Sequence, residues 1–208
     1  LMVKHRMTRN PMHVVLLGTE HPKVAPKRSS AVQRTLVYMG SFMPYKNVDL
    51  LVRSMEHLPG YRLQLMSRVA PAEQARLEAL APAGSLEFFN GASDEQYESA
   101  MKDATALVTA SRDEGFGLPV VEAMALGTPV LISDIPIFRE IGGEAAVFFD
   151  PDSVESVVAG VRQLEDAEEW KRRSAASVAW AKRYNWPDAA KQLLAVLTSA
   201  AESRASSR

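Results

Sequence analysis

The sequence predicts an α/β protein built on a doubly wound, parallel sheet. Three observations predict it. Short apolar, β-branched runs alternate with longer segments of helical periodicity along most of the 208 residues, the pattern of strand–helix–strand units. The runs are almost continuously apolar, as strands covered on both faces must be. Gly18 and Gly40 end the first two runs and Pro59-Gly60 ends the helical segment after them, which separates these elements.

Taken in order, His13 to Leu17 reads as a strand ended by Gly18, and 18–34, with Pro22, Pro26 and several basic groups, as a linker. Thr35 to Met39 is a second strand stopped by Gly40. Val48, Leu51, Val52 and Met55 follow at i, i+3, i+4 and i+7, an amphipathic helix ended by Pro59-Gly60. Tyr61 to Met66 is a strand, Ala72 to Leu80 a helix starting just after Pro71, and Leu86 to Phe89 a short strand. Asp94 to Met101 forms a helix with Ser93 as its N-cap. Thr105 to Thr109 is a strand, Pro119 to Leu126 a helix, and Pro129 to Ile132 a buried strand. Ala146 to Phe149 is the last strand. The tail, 153–203, reads as helical throughout, broken near Trp186-Pro187.

Composition narrows the function. With 24 Lys+Arg against 25 Asp+Glu the net charge is −1, which removes the electrostatic case for a nucleic-acid partner. With no cysteine there is no disulfide, thiolate nucleophile or cysteine-held metal. His5, His13, His21 and His57 show no ligand spacing, so no metal site is expected. No apolar run approaches the ~18 residues that span a bilayer, and no signal peptide is legible. Lys4, Arg6, Arg9, Lys23, Lys27, Arg28 and Arg34 against Glu20 give the first forty residues a charge of +6. That basic arm suits solvent or a peripheral contact with anionic lipid. Trp170, Trp180 and Trp186 fall in the helical tail and read as packing residues.

In a doubly wound sheet the ligand lies beyond the carboxyl ends of the strands, so the loops after the strands carry the chemistry. The most informative is Ser111-Arg112-Asp113-Glu114-Gly115-Phe116-Gly117-Leu118-Pro119. Pro119 suits the first helical position. Gly115 and Gly117 allow close approach of a ligand, and the amides of Gly117 and Leu118 with the positive helix end make an anion site fit for a diphosphate. Glu114 before the helix and Glu122 about one turn inside it can face one cleft, and a carboxylate accepts two hydrogen bonds from a vicinal diol. Taken alone, Glu122 reads as a complement to the helix dipole and Glu114 as a solvated loop acid. A second loop, Gly40-Ser41-Phe42-Met43-Pro44-Tyr45-Lys46-Asn47, sets Lys46 at a helix start, where it can reach a phosphate as a point charge. A third, Ser133 to Glu140, lines the same cleft, with Glu140 either a polar participant or a capping or salt-bridging group.

Together these strings resemble the donor-binding half of the retaining glycosyltransferases of family 4, which have the GT-B fold. The matching residues are Gly40…Lys46-Asn47, Phe89-Asn90-Gly91, Glu114-Gly115-Phe116-Gly117-Leu118-Pro119…Glu122-Ala123-Met124-Ala125, Gly127-Thr128-Pro129-Val130 and Ser133-Asp134…Glu140, and the likeness runs over about 12–200. The resemblance implies a Rossmann-like domain over 35–185, preceded by a basic arm, crossing strand and linker over 1–34. It implies a C-terminal helix over 186–208 packing on an N-terminal domain that the chain lacks, with Ala189, Leu193, Val196 and Ala200 as its apolar stripe. Leu1 in place of Met fits a piece of a larger protein.

The same resemblance assigns roles. Lys46 and Glu114 would be catalytic, Lys46 on the donor diphosphate and Glu114 near the reacting face of the sugar. Gly40, Ser41, Gly115, Phe116, Gly117 and Leu118 would line the donor, and Glu122 would hold the ribose. Reaction would retain anomeric configuration and need neither metal nor cofactor. The donor would be GDP-mannose or a UDP-hexose, with the 133–140 string leaning towards GDP-mannose. A glycan or lipid-linked acceptor would enter through the absent domain, so the fragment should bind donor but transfer poorly alone. A cytoplasmic location, peripheral at the inner membrane face, goes with such an acceptor.

Three positions depart from the family pattern. Ser41 stands where Arg is usual, which weakens diphosphate binding unless Arg112 or another group substitutes. Ser67 replaces a glycine, narrowing the base pocket, and Tyr45 replaces a basic residue before the lysine. Ser41 also supports the alternative of a non-catalytic nucleotide-sugar-binding or assembly module. A dehydrogenase or P-loop protein is disfavoured, because neither Gly-x-Gly-x-x-Gly after 35–39 nor a Gly-Lys-Ser/Thr loop is present.

Overall fold

A computed structural model describes residues 13–21 and 33–206 of the chain; the basic arm and most of the linker (including Lys4, Lys23 and Arg28) lie outside them. Six strands form one sheet: β1 (Thr35–Tyr38), β2 (Arg62–Leu65), β3 (Leu86–Phe88), β4 (Ala106–Thr109), β5 (Val130–Ser133) and β6 (Val147–Phe149). Their order is β3-β2-β1-β4-β5-β6 and every pairing is parallel. This is the Rossmann-like arrangement that the alternation predicts. The order reverses between β1 and β4, and a doubly wound sheet takes its ligand in the crevice beyond the carboxyl ends of the strands at such a reversal.

The helices are α1 (Val48–Ser54), α2 (Pro71–Glu78), α3 (Asp94–Asp103), α4 (Leu118–Ala125), α5 (Pro136–Gly142), α6 (Val154–Gln163), α7 (Ala167–Ala181) and α8 (Trp186–Ser206). β4 and β5 are buried along their whole length, which explains their unbroken apolar sequence. Leu36, Tyr38, Leu63, Leu65 and Val108 pack with Val52 of α1 and Val157 and Val161 of α6 into the main core. At the β2–β3 edge the other face is polar, and the Gln64 amide donates to Glu87 at 3.0 Å.

Local signals set the helix boundaries. Ser93 and Gln96 form a reciprocal capping box at the start of α3. Ser153 and Asp166 accept from backbone amides at the starts of α6 and α7, and Pro71 and Pro136 sit in first turns. α5 ends at Gly143, φ +49°, where a Cβ would come within 2.0 Å of the Trp180 indole. The Trp180 Nε1–H donates to the Ile141 carbonyl at 2.7 Å, and the buried Trp170 Nε1–H donates to the Thr105 carbonyl at 2.9 Å. Both indoles are packing groups, as expected, whereas Trp186 is 46% exposed and departs from that expectation.

Three expectations need correction. His13 to Leu17 is not a strand: Val14 is 80% exposed, and the nearest pairing is an isolated parallel bridge from Thr19, beyond the segment, to Asn185. Apolar, β-branched composition favours a strand but cannot supply a ladder partner. The tail carries a second break, because Asp166 caps a new helix after Leu164 and stops the run without Pro or Gly. The third loop is mostly the helix α5.

The chain divides into two compact units, one drawn from Glu20–Arg183 and holding the sheet, the other from its two ends. Within the smaller unit the Thr19 amide donates to the Tyr184 carbonyl at 3.1 Å. Gly18 lies so close to Trp186 that a Cβ would fall 2.3 Å from its backbone nitrogen. On α8, Leu193, Leu194 and Leu197 are about half exposed or more, at 49, 65 and 58%. Among the described residues no helix is long and apolar enough to cross a membrane.

Candidate functional site

The loops leaving β1 and β4 meet at the crevice. After β1 the chain turns over its own tyrosine: the Tyr38 hydroxyl donates to the Ser41 carbonyl at 2.6 Å. A Cβ on Gly40 would lie 2.9 Å from that phenol oxygen, so this loop admits only glycine without rearrangement. The Gly40 amide donates to Ser67 Oγ at 3.0 Å, and that hydroxyl donates to Met39 Sδ at 3.2 Å. Ser67 therefore ties the β2 loop to the β1 loop. A single 3-10 turn, Pro44–Lys46, then leads to Asn47, whose φ of 52° reverses the chain into α1. The Asn47 side chain donates to the Pro151 carbonyl at 2.8 Å, anchoring the turn to the loop after β6.

Lys46 leaves this turn towards the loop after β4. Its Nζ lies 2.6 Å from Glu114 Oε1, and the two side chains are only 14 and 13% exposed. Ser111, buried at the end of β4, donates to the same Glu114 oxygen at 2.9 Å. The Ser111 and Thr109 hydroxyls are 3.2 Å apart. Backbone also crosses the crevice, from the Arg112 amide to the Tyr45 carbonyl at 2.8 Å. Burial, then Glu114 and Tyr45, pushes the Tyr38 phenol well above its ordinary range, so it stays a donor.

The Glu114 loop runs into α4 through Gly117, which has φ +94° and caps the helix without any side-chain hydrogen bond. A Cβ there would meet the Phe138 ring at 2.9 Å and Ile141 at 3.1 Å. Leu118 is the first helical residue and Pro119 the second. Before Gly115, by contrast, an added Cβ would find nothing within 4 Å. An uncapped helix start, a lysine and open space over Gly115 are the elements of an anion cradle. Glu122, one turn into α4 and half-buried, accepts from the Tyr97 hydroxyl of α3 at 3.1 Å. Burial and the Glu122 charge push the Tyr97 phenol far up.

The structure thus joins Lys46 and Glu114 directly and sets Gly40, Gly115, Phe116, Gly117, Leu118 and Glu122 on the loops and helix that line the crevice. Ser41 is exposed and contributes its carbonyl to Tyr38. Arg112 is no replacement for a cation at Ser41, since its guanidinium pairs with Asp152. Glu140 is exposed on α5, while Asp134 pairs with Arg139. Among the described residues no group of three or more His, Asp or Glu could hold a metal ion. Sequence reasoning missed Tyr97, Tyr38 and Ser111 as site residues. Ser111 begins the informative string and was within reach; Tyr97 carries no local signal beyond its helix.

Comparison with known proteins bears on this geometry. The family described as Glycosyl transferases group 1 matches residues 23–183. The O-antigen chain mannosyltransferase RfbU of Salmonella typhimurium is 32% identical over 62% of this chain and 38% of its own length. The GDP-mannose:cellobiosyl-diphosphopolyprenol alpha-mannosyltransferase of Xanthomonas oryzae is 29% identical over 84% of this chain and 49% of its own. The chain therefore spans half or less of the length of these two relatives. Among solved structures, sucrose-phosphate synthase of Thermosynechococcus elongatus shares the fold with a TM-score of 0.80 and 21% identity, over 97% of this chain and 56% of that one. Anabaena HepE, solved in complex with UDP-glucose, gives 0.73 at 17% identity, over 80 and 49%.

Proposed function

We propose that this chain, which belongs to the glycosyl transferases group 1 family, is the donor-binding part of a retaining, metal-independent glycosyltransferase whose donor is a nucleoside-diphosphate sugar. The observation that carries the reading is the half-hidden Lys46–Glu114 pair, closed at 2.6 Å beside an uncapped helix start at the sheet's reversal point. GDP-mannose is the first candidate donor, because the relatives' names include mannosyltransferases and one that uses GDP-mannose.

In this reading the diphosphate lies against Lys46 and the amides around Phe116, Gly117 and Leu118. As the bond from the anomeric carbon to the diphosphate oxygen breaks, negative charge builds on the leaving group, and the Lys46 cation and the helix end beside it stabilise that charge. Glu114 faces the sugar, where a carboxylate steadies the positive charge of an oxocarbenium-like carbon. Glu122 accepts from the ribose hydroxyls. The acceptor, a glycan or lipid-linked sugar, enters from a second domain, and the exposed leucines of α8 suit a face that such a domain covers. Peripheral contact with the cytoplasmic face of a membrane suits such an acceptor.

A non-catalytic module of the same fold is the second reading, favoured by Ser41, which brings no charge where the resembling enzymes carry arginine. Calorimetric titration with GDP, UDP and their sugars tests the first reading, with Lys46→Ala and Glu122→Ala beside the wild type. Micromolar binding weakened by both substitutions supports it, and no binding below millimolar sinks it. Transfer by a full-length protein in EDTA, lost in Glu114→Ala, separates enzyme from module.

A further inference from the structure

We infer that Tyr97 is a positioning residue for the nucleotide ribose, holding the Glu122 carboxylate in the orientation that accepts a vicinal diol. The inference rests on the reading of Glu122 as the ribose contact and adds to it the group that makes that contact rigid.

A glutamate has three rotatable side-chain bonds, and an unrestrained one must lose that freedom when it binds. Here the Tyr97 hydroxyl, on the neighbouring helix α3, donates to Glu122 Oε2 at 3.1 Å. α3 is itself fixed at its start by the Ser93–Gln96 capping box, four residues before Tyr97. The other oxygen, Oε1, has no hydrogen-bonding partner among the described residues. One oxygen is held and the other is left to accept.

The choice of partner matters. A lysine in that place would neutralise Glu122 and compete with the ligand, as Lys46 does for Glu114. A phenol orients the carboxylate and leaves its full negative charge, which strengthens the hydrogen bonds from neutral hydroxyls. Its ionisation is pushed up by burial and by Glu122 itself, so it donates throughout the neutral range.

Calorimetry on the 208-residue chain tests this with GDP, UDP and their 2′,3′-dideoxy analogues, using wild type, Tyr97→Phe, Glu122→Ala and the double variant. Phenylalanine keeps the ring and removes only the hydroxyl. Tyr97→Phe should weaken the ribonucleotides by about tenfold and the dideoxy analogues by less than about twofold. In the Glu122→Ala background it should change nothing, because there is no carboxylate left to hold. Equal loss for ribo and dideoxy nucleotides, or a full effect in the Glu122→Ala background, would assign Tyr97 a merely structural part and overturn the inference. Wild-type affinity for GDP or UDP with no response to Tyr97→Phe overturns it as well. Absence of any wild-type affinity instead removes the donor-site reading beneath it.

Discussion

Glu114 and Glu122 stand eight positions apart, on the loop after β4 and the helix it opens, yet their surroundings differ in kind. Glu114 is paired at 2.6 Å with a lysine and also accepts from Ser111. Glu122 is held by a neutral phenol. The first carboxylate is balanced, so a bound anion must separate Lys46 from Glu114 or share the lysine between them. The second keeps its charge and suits uncharged hydroxyls. Two like residues at fixed spacing are thereby divided between the charged and the neutral parts of one ligand.

The comparison is sharpest at Glu114. Replacing it by alanine should lower transfer by the full-length protein by roughly 100-fold or more, measured as sugar incorporation. The same substitution, or Glu114→Gln, should tighten UDP and GDP by about threefold, since Lys46 no longer divides its attraction. Equal losses of binding and transfer would show that Glu114 holds the ground state and break the distinction.

Lys46→Ala should weaken the nucleoside diphosphates by about tenfold or more and leave guanosine and uridine, which lack phosphate, unaffected. The salt dependence of binding should fall with the lost charge. Glu122→Ala should weaken ribonucleosides and ribonucleotides alike by about tenfold, with the salt dependence intact.

Gly117 is the joint on which both glutamates hang. Alanine there meets a φ of +94° and the Phe138 ring at 2.9 Å, and should cost about 1–3 kcal/mol in chemical denaturation. The smallest effect appears at high pH. The phenols of Tyr38 and Tyr97 are pushed up, and that of Tyr61 to about 12, chiefly by burial. Above pH ~10 the unfolded chain gives up tyrosine protons that the folded one keeps, so stability falls as pH rises from there. Tyr97→Phe should flatten that decline, read from denaturation midpoints between pH 9 and 11.

The centre of the sheet was legible because β4 and β5 are buried on both faces, and Val130 to Ile132 can hardly be anything else. Ser93 was legible as a cap because capping chemistry is local. The loop glycines and Lys46 stood out for the same reason. The Lys46–Glu114 contact joins residues 68 positions apart, and nothing local to either string pairs the two charges with each other. Tyr97 escaped notice since a helical tyrosine announces no partner. His13 to Leu17 misled because strand composition says nothing of a neighbouring strand, and α5 was hidden behind a Pro136 that reads equally as loop or first turn.

The hydrogen bond from the Arg112 amide to the Tyr45 carbonyl bears on how the crevice breathes. Both residues are exposed, on a single 3-10 turn and a loop, where amide protons ordinarily exchange with solvent quickly. This one should exchange slowly, because releasing it means parting the two loops and pulling a lysine from its glutamate. Its deuterium uptake is a local clock for opening of the crevice, readable without any ligand.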